Sequence, residues 1–146
     1  VALSYDNNIW VYDEQASKLK KIGDDGRLLL ETVDLRQAMD QVPSPEKIID
    51  RDGFVYLYDP EVGIFVFDYY GTLKNKIPIL HIRDIQVIGK TVVGRQQNKF
   101  VSYTLGSFDP KEAPLPMTIR NAEKIKIMQQ GIYVLLDDRI ELYSFK

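Results

Sequence analysis

Apolar residues in this chain fall in short runs and not at the three-and-four spacing of an amphipathic helix. Residues 53–73 show the pattern best. They read Gly-Phe-Val-Tyr-Leu-Tyr-Asp, then Pro-Glu-Val-Gly, then Ile-Phe-Val-Phe-Asp, then Tyr-Tyr-Gly-Thr-Leu. Aromatic and β-branched side chains fill both runs, a composition that suits a pleated surface, and Asp59, Pro60 and Gly63 supply turn chemistry between them. The pattern predicts two strands joined by a tight turn, with another turn after Asp68.

The same hairpin recurs. Ile9-Trp10-Val11-Tyr12-Asp13 is followed by Leu19-Lys20-Lys21-Ile22, and Thr91-Val92-Val93-Gly94 by Lys99-Phe100-Val101-Ser102-Tyr103. Ile132-Tyr133-Val134-Leu135-Leu136 is followed by Ile140-Glu141-Leu142-Tyr143. First strands start at 9, 54, 91 and 132, spacings of 45, 37 and 41 residues. A further strand precedes each hairpin, at Leu3, Ile48, Ile85 and Ile125. Asn7-Asn8, Asp52-Gly53, Gly89-Lys90 and Gln130-Gly131 form the intervening turns. A fourth strand follows in three copies, around Leu28 to Leu30, Leu73 to Ile79 and Leu115 to Ile119.

A four-strand meander repeated every ~40–50 residues is the signature of a β-propeller blade. The expected fold is therefore all-β, a propeller of about four blades at residues 1–41, 42–80, 81–119 and 120–146. The fourth copy reaches Lys146 directly after its third strand, and nothing before Leu3 supplies the missing one. The expectation is the C-terminal part of a larger propeller, of roughly six to eight blades; the rival is a complete four-bladed ring. Only Asp34 to Gln41 has a helical pattern, and Pro43 and Pro45 end it.

The copy at Gly53 to Asp59 and Gly63 to Gly71 resembles the blades of NHL-type propellers, without the Asn and Arg those blades usually carry in the hairpin loop. A second resemblance is to a family of secreted propeller proteins, with no assigned activity, from bacteria of the Bacteroidetes type. Asn8 to Asp13, Asp59 to Ile64, Phe67 to Thr72, Ile77-Pro78-Ile79, Gln86 to Gly89 and Pro114-Leu115-Pro116 carry it. That resemblance implies an extracytoplasmic location, periplasmic or secreted, and no particular activity.

Composition narrows the function classes. A net charge of −2 argues against a nucleic-acid surface, and the basic run Lys18 to Lys21 is read as a solvated strand edge. No apolar run approaches the ~20 residues of a transmembrane helix. There is no cysteine, so neither disulfide nor thiolate chemistry is available.

Candidate chemistry is sparse. His81 is the single histidine and cannot build a His-rich metal site. Asp50-Arg51-Asp52-Gly53 begins like a calcium loop but lacks its later ligands, so Asp52-Gly53 reads as a hairpin turn. No catalytic residue, metal site or cofactor is assigned. Three pairs at the start of the innermost strands, Glu46-Lys47, Arg83-Asp84 and Glu123-Lys124, are the candidate binding residues, as an arc of charge at a channel mouth. Tyr69-Tyr70, at a hairpin turn, is a candidate exposed aromatic patch. The reading is a non-enzymatic binding or scaffold module for a protein or glycan partner. It is expected to dimerise or to associate with a missing propeller half. The alternative is part of a propeller enzyme of the lactonase, lyase or quinoprotein kind, to which the innermost strands contribute at most Ser4, Asp50, Gln86 and Lys126.

Overall fold

A computed structural model describes residues 1–144. Its strands form four antiparallel meanders, each in sequential order. The first sheet holds β1 (Ala2–Leu3), β2 (Ile9–Asp13), β3 (Lys18–Ile22) and β4 (Leu28–Glu31). The second holds β5 (Lys47–Arg51), β6 (Phe54–Asp59), β7 (Gly63–Asp68) and β8 (Leu73–Ile77). The third holds β9 (Arg83–Ile88), β10 (Thr91–Gln96), β11 (Lys99–Thr104) and β12 (Lys111–Pro114). The fourth has β13 (Lys124–Met128), β14 (Gly131–Leu135) and β15 (Ile140–Ser144). Residues 1–80, with the first two sheets, form one compact half; residues from 81 onward form another.

Turn chemistry sets the register. Arg51 pairs with Phe54 around Asp52 and Gly53, whose φ values of 48° and 91° are those of a tight hairpin turn matching the strand twist. Gly89-Lys90 also closes the third sheet in two residues, between Ile88 and Thr91, with Gly89 alone at positive φ, 59°. In the fourth sheet Met128 pairs with Gly131, so the turn is Gln129-Gln130 and Gly131 belongs to the strand.

Two connections are helical. Leu35–Ala38 is a single turn capped by Asp34, whose carboxylate accepts from the Arg36 amide at 3.0 Å, as the helical pattern there predicts. The strand expected around Leu115 to Ile119 is not there. The strand that pairs with β11 is instead β12, four residues earlier, and Met117–Arg120 is a second helical turn. Pro114 and Pro116 explain the shift: neither can donate to a ladder, while Pro116 suits the start of a helix. Leu115 and Ile119, one helical turn apart, are both buried.

Each half has its own core. In residues 1–80, Trp10 and Leu19 of the first sheet and Leu35 of the connection pack on Ile48, Val55, Leu57, Phe65 and Phe67 of the second. Burying each such side chain contributes ~1.5–3 kcal/mol. In the other half, Leu115, Ile119 and Ala122 pack with Ile125, Ile132 and Val134, and Phe100 of the third sheet closes over them. The central strands of the second sheet, β6 and β7, are buried on both faces, as their unbroken apolar runs predict, whereas β14 and β15 alternate. Among the described residues no helix is long and apolar enough to cross a membrane.

Candidate functional site

The first half brings together a cluster at its turns. Most inner hairpins close with two residues, but Leu3 pairs with Ile9 across a five-residue loop, Ser4 to Asn8. Asn7, in the left-handed region at φ 63°, lets that loop double back. The extra length carries Tyr5 over to Tyr69, in the turn between β7 and β8. The two rings lie parallel, 6° apart in plane, with centroids 4.7 Å apart. Tyr69 is held in turn by Asp68, whose carboxylate accepts from the amides of Tyr70 and Thr72, both at 2.9 Å.

Asp50 of β5 gathers the cluster. One carboxylate oxygen accepts from the Tyr69 hydroxyl at 2.5 Å; the other accepts from the Trp10 indole at 2.8 Å and the Tyr5 amide at 3.3 Å. The Tyr69 oxygen also accepts from the Gly53 amide at 3.1 Å. Burial, and then the bond to the Asp50 carboxylate, push the Tyr69 phenol up to about 12. Beside them the Lys21 ammonium lies 2.6 Å from an Asp6 oxygen, 5.2 Å from the Tyr5 ring centre and 5.4 Å from that of Trp10. That bond from Lys21 holds the Asp6 carboxyl well below the ordinary carboxylate range.

The outcome is a rigid aromatic base with an open rim. Trp10 is fully buried and Tyr69 half-buried, while Tyr5 keeps 68% of its surface in solvent and Tyr70 85%. The expected pair of exposed tyrosines therefore divides: Tyr70 is free of the sheet, whereas Tyr69 is clamped, because Asp50 and Gly53 both reach its hydroxyl. The basic run is also not a simple solvated edge. Lys18, Lys20 and Lys21 are ion-paired with Glu31, Asp13 and Asp6, and Leu19 between them is fully buried.

The charged pairs at the innermost strands fare differently. Glu46 is exposed and its amide donates to the Tyr58 carbonyl; Lys47, also exposed, opens β5 opposite Tyr58. In the other half the Arg83 guanidinium donates to the Glu123 carbonyl at 3.4 Å, and the Glu123 and Lys124 side chains are exposed. Asp84 is not part of any open rim. Its carboxylate lies 2.6 Å from Arg95 Nε, with side chains only 6% and 2% exposed. Arg95 also donates to the carbonyls of Ala122 at 2.9 Å and Glu123 at 3.4 Å. Gln86 adds a second tie, accepting from the Ile127 amide at 3.0 Å and donating to the Ile125 carbonyl at 3.4 Å. His81 sits exposed between β8 and β9 with φ 51°.

Sequence reasoning took Trp10 as core alone and left Tyr5 and Arg95 aside. The signal for Asp50 was present. Opposite Val55, Val92 and Ile132 the innermost strands carry Asp50, Val87 and Ile127, so one repeat puts a carboxylate where two others put an aliphatic group. Arg95 likewise interrupts an apolar strand, directly after Gly94 in the bulge between Val93 and Arg95. A Cβ on Gly94 would lie 2.6 Å from the Ile82 side chain.

No family model matches the sequence, and no curated protein matches it. Among solved structures, a streptogramin B lyase, itself a β-propeller, is similar, with a TM-score of 0.63 at 17% identity. The match covers 97% of this chain and 49% of the lyase, so the chain spans about half that protein's length. At this identity the likeness carries the fold alone: the four meanders are blades of a β-propeller.

Proposed function

We propose that the chain is a binding module that presents propeller turns to a protein or glycan partner. The observation that carries this reading is the fixed Tyr5–Tyr69 stack, whose Tyr5 ring is open to solvent, as is the neighbouring Tyr70. Stacking and the Asp50 bonds restrain Tyr5 and Tyr69 before any partner arrives, so little side-chain entropy is lost on binding. The Lys21–Asp6 ion pair lies beside the Tyr5 ring and adds polar groups next to the aromatic face. Such a surface suits a ring or side chain with an apolar face and polar edges, a sugar or an apolar residue of a protein. Arg83, Glu123 and Lys124, close together in the other half, are a second contact region in this reading, and Glu46 and Lys47 mark the corresponding strand start of the first half. In this reading the module works outside the cytoplasm, as its resemblance to secreted propellers implies.

The test is binding to an array of glycans and, separately, capture of proteins from the periplasmic or secreted fraction, each with wild type and with Tyr5→Ala and Tyr70→Ala. Loss of at least about tenfold in affinity with either variant supports the reading; binding that ignores both removes it. A second reading, part of a propeller enzyme, draws on the similar propeller's being a streptogramin B lyase. Turnover of a streptogramin B, or stoichiometric metal in the purified protein, would favour it.

A further inference from the structure

The groups around Tyr5 discriminate between a protein and a glycan. Tyr69 stacks on the Tyr5 ring, and Tyr5 is otherwise mostly in solvent. The ring is not the centre of an apolar patch. Ser4 precedes it in the chain, Asp6-Asn7-Asn8 follow, and the Lys21 ammonium that pairs with Asp6 lies 5.2 Å from the ring centre. An apolar side chain seated on this ring strips water from the ion pair and returns no hydrogen bond. A protein hot spot needs the reverse, neighbours that exclude water at no cost.

Asp6 supplies what an apolar partner cannot use. Its side chain is 32% exposed, against 10% for Lys21, so the carboxylate meets solvent while the ammonium is largely covered. One oxygen accepts from Lys21 at 2.6 Å and the other from the Asn8 amide at 3.4 Å, a long bond. A carboxylate has about four acceptor positions, so capacity is left for a ligand. The Lys21 bond also holds the Asp6 carboxyl well below the ordinary carboxylate range, which keeps it an acceptor in mild acid. An acceptor beside an aromatic face matches a ligand that has hydroxyl donors on its edge and C–H groups on its face. A sugar ring has both, and its slightly positive C–H groups are drawn to the negative face of the tyrosine ring.

Charge narrows the sugar. Among the groups bonded within the cluster, two carboxylates, Asp6 and Asp50, stand against one cation, Lys21. A sugar acid or sugar phosphate meets net repulsion there. We propose that the open ring of Tyr5 is a site for a neutral sugar, stacked on the ring with a hydroxyl donating to Asp6. This inference rests on the reading of the chain as a binding module and names its ligand class.

The test titrates the whole chain with the methyl glycosides of glucose, galactose and mannose, and with the corresponding uronic acids, to about 50 mM, following backbone amide signals by NMR. At least one neutral glycoside is expected to bind and to move the Tyr5 and Asp6 amides. Its uronic acid should bind at least about threefold more weakly, with the gap narrowing as salt is added. Tyr5→Ala and Tyr5→Leu should each lose about tenfold, since leucine keeps apolar bulk but has no aromatic face, and Asp6→Ala about as much. Circular dichroism checks folding, and should Tyr5→Ala not fold, Tyr5→Leu carries the comparison. Three results overturn the inference: no neutral glycoside binds, Tyr5→Leu binds it as wild type does, or the uronic acid binds more tightly. Should no sugar bind while a protein is captured through Tyr5, the sugar site falls and the binding module stands; should Tyr5→Ala change neither, both fall.

Discussion

Asp50→Ala removes one acceptor from three donors, and its cost can be worked from their surroundings. The Trp10 indole N–H is the largest part, because the ring is fully buried and no water reaches it in place of the carboxylate. An orphaned buried donor costs ~1–3 kcal/mol. The Tyr69 hydroxyl is half-buried and keeps the Gly53 amide as a donor to it, so its loss is smaller. The Tyr5 amide, at 3.3 Å in an exposed loop, turns to water. The sum is ~2–4 kcal/mol, a large share of the ~5–15 kcal/mol that holds a domain folded. Asp50→Asn keeps one acceptor oxygen and should lose about half as much. Trp10 is the sole tryptophan, so urea unfolding followed by its fluorescence reads stability and site together. Both variants should shift its native emission. A loss below ~1 kcal/mol for Asp50→Ala, with emission unchanged, would refute the claim that this carboxylate organises the cluster.

Three further outcomes follow from the same geometry. Asp84→Asn leaves the Arg95 guanidinium buried without its counter-charge and should cost ~3–5 kcal/mol, while Arg95→Met with Asp84→Leu together should cost far less than the two singles combined, measured by urea unfolding as a double-mutant cycle. Because Arg95 holds the Ala122 and Glu123 carbonyls, hydrogen exchange in β13 should rise first. Among the described residues the buried Tyr56 hydroxyl has no hydrogen-bond partner, and burial pushes its phenol up to about 12. Tyr56→Phe should therefore leave stability within ~1 kcal/mol of wild type or raise it, and a loss above ~2 kcal/mol would reveal a missing partner. The Tyr69 phenol rises from 10.0 to about 12, so the fold favours its protonated form. Its contribution is complete below pH 10 and is lost as pH climbs from about 10 to about 12, which phenolate absorbance during alkaline titration would follow. In Asp50→Asn that titration should begin earlier.

The blade pattern was legible because a strand buried on both faces must be apolar at every position. Phe54 to Tyr58 and Ile64 to Phe67 state this outright, and the two-residue turns fix register without outside help. Strand β12 was not legible. Its residues, Lys111 to Pro114, form a fully exposed outer strand, so no apolar pattern marks it, while the buried Leu115 and Ile119 nearby imitate one. The site was hidden for a different reason. Tyr5 and Trp10 reach Asp50 only because sheets 40 residues and more apart in sequence stack in space, and an aspartate beside a turn looks like turn chemistry until its partners are seen.

Departures from the repeat locate the chemistry better than the repeat does. Blade packing alone requires only that each inner hairpin close tightly and that each innermost strand be apolar where it faces its neighbour; Gly89-Lys90 with Val87, and Gln129-Gln130 with Ile127, satisfy both demands. The first two blades break them in complementary ways. A five-residue loop costs more to order than a two-residue turn, and a half-buried carboxylate costs more than an aliphatic side chain unless it is fully bonded. Each departure makes sense only with the other: the long loop delivers the Tyr5 amide and ring, and Asp50 supplies the acceptor that holds them against Tyr69. Shortening Ser4–Asn8 to a two-residue Asn-Gly turn separates the two roles. Stability should fall by ~2–4 kcal/mol, since blade packing is untouched and the shorter loop offsets part of the loss, but the buried Lys21 loses Asp6 along with the Tyr5 amide's bond. Partner binding, read on the same array or capture assay, should disappear with the Tyr5 ring. Retained binding with the loop removed would mean that the tyrosine stack serves the fold and that the partner is held elsewhere.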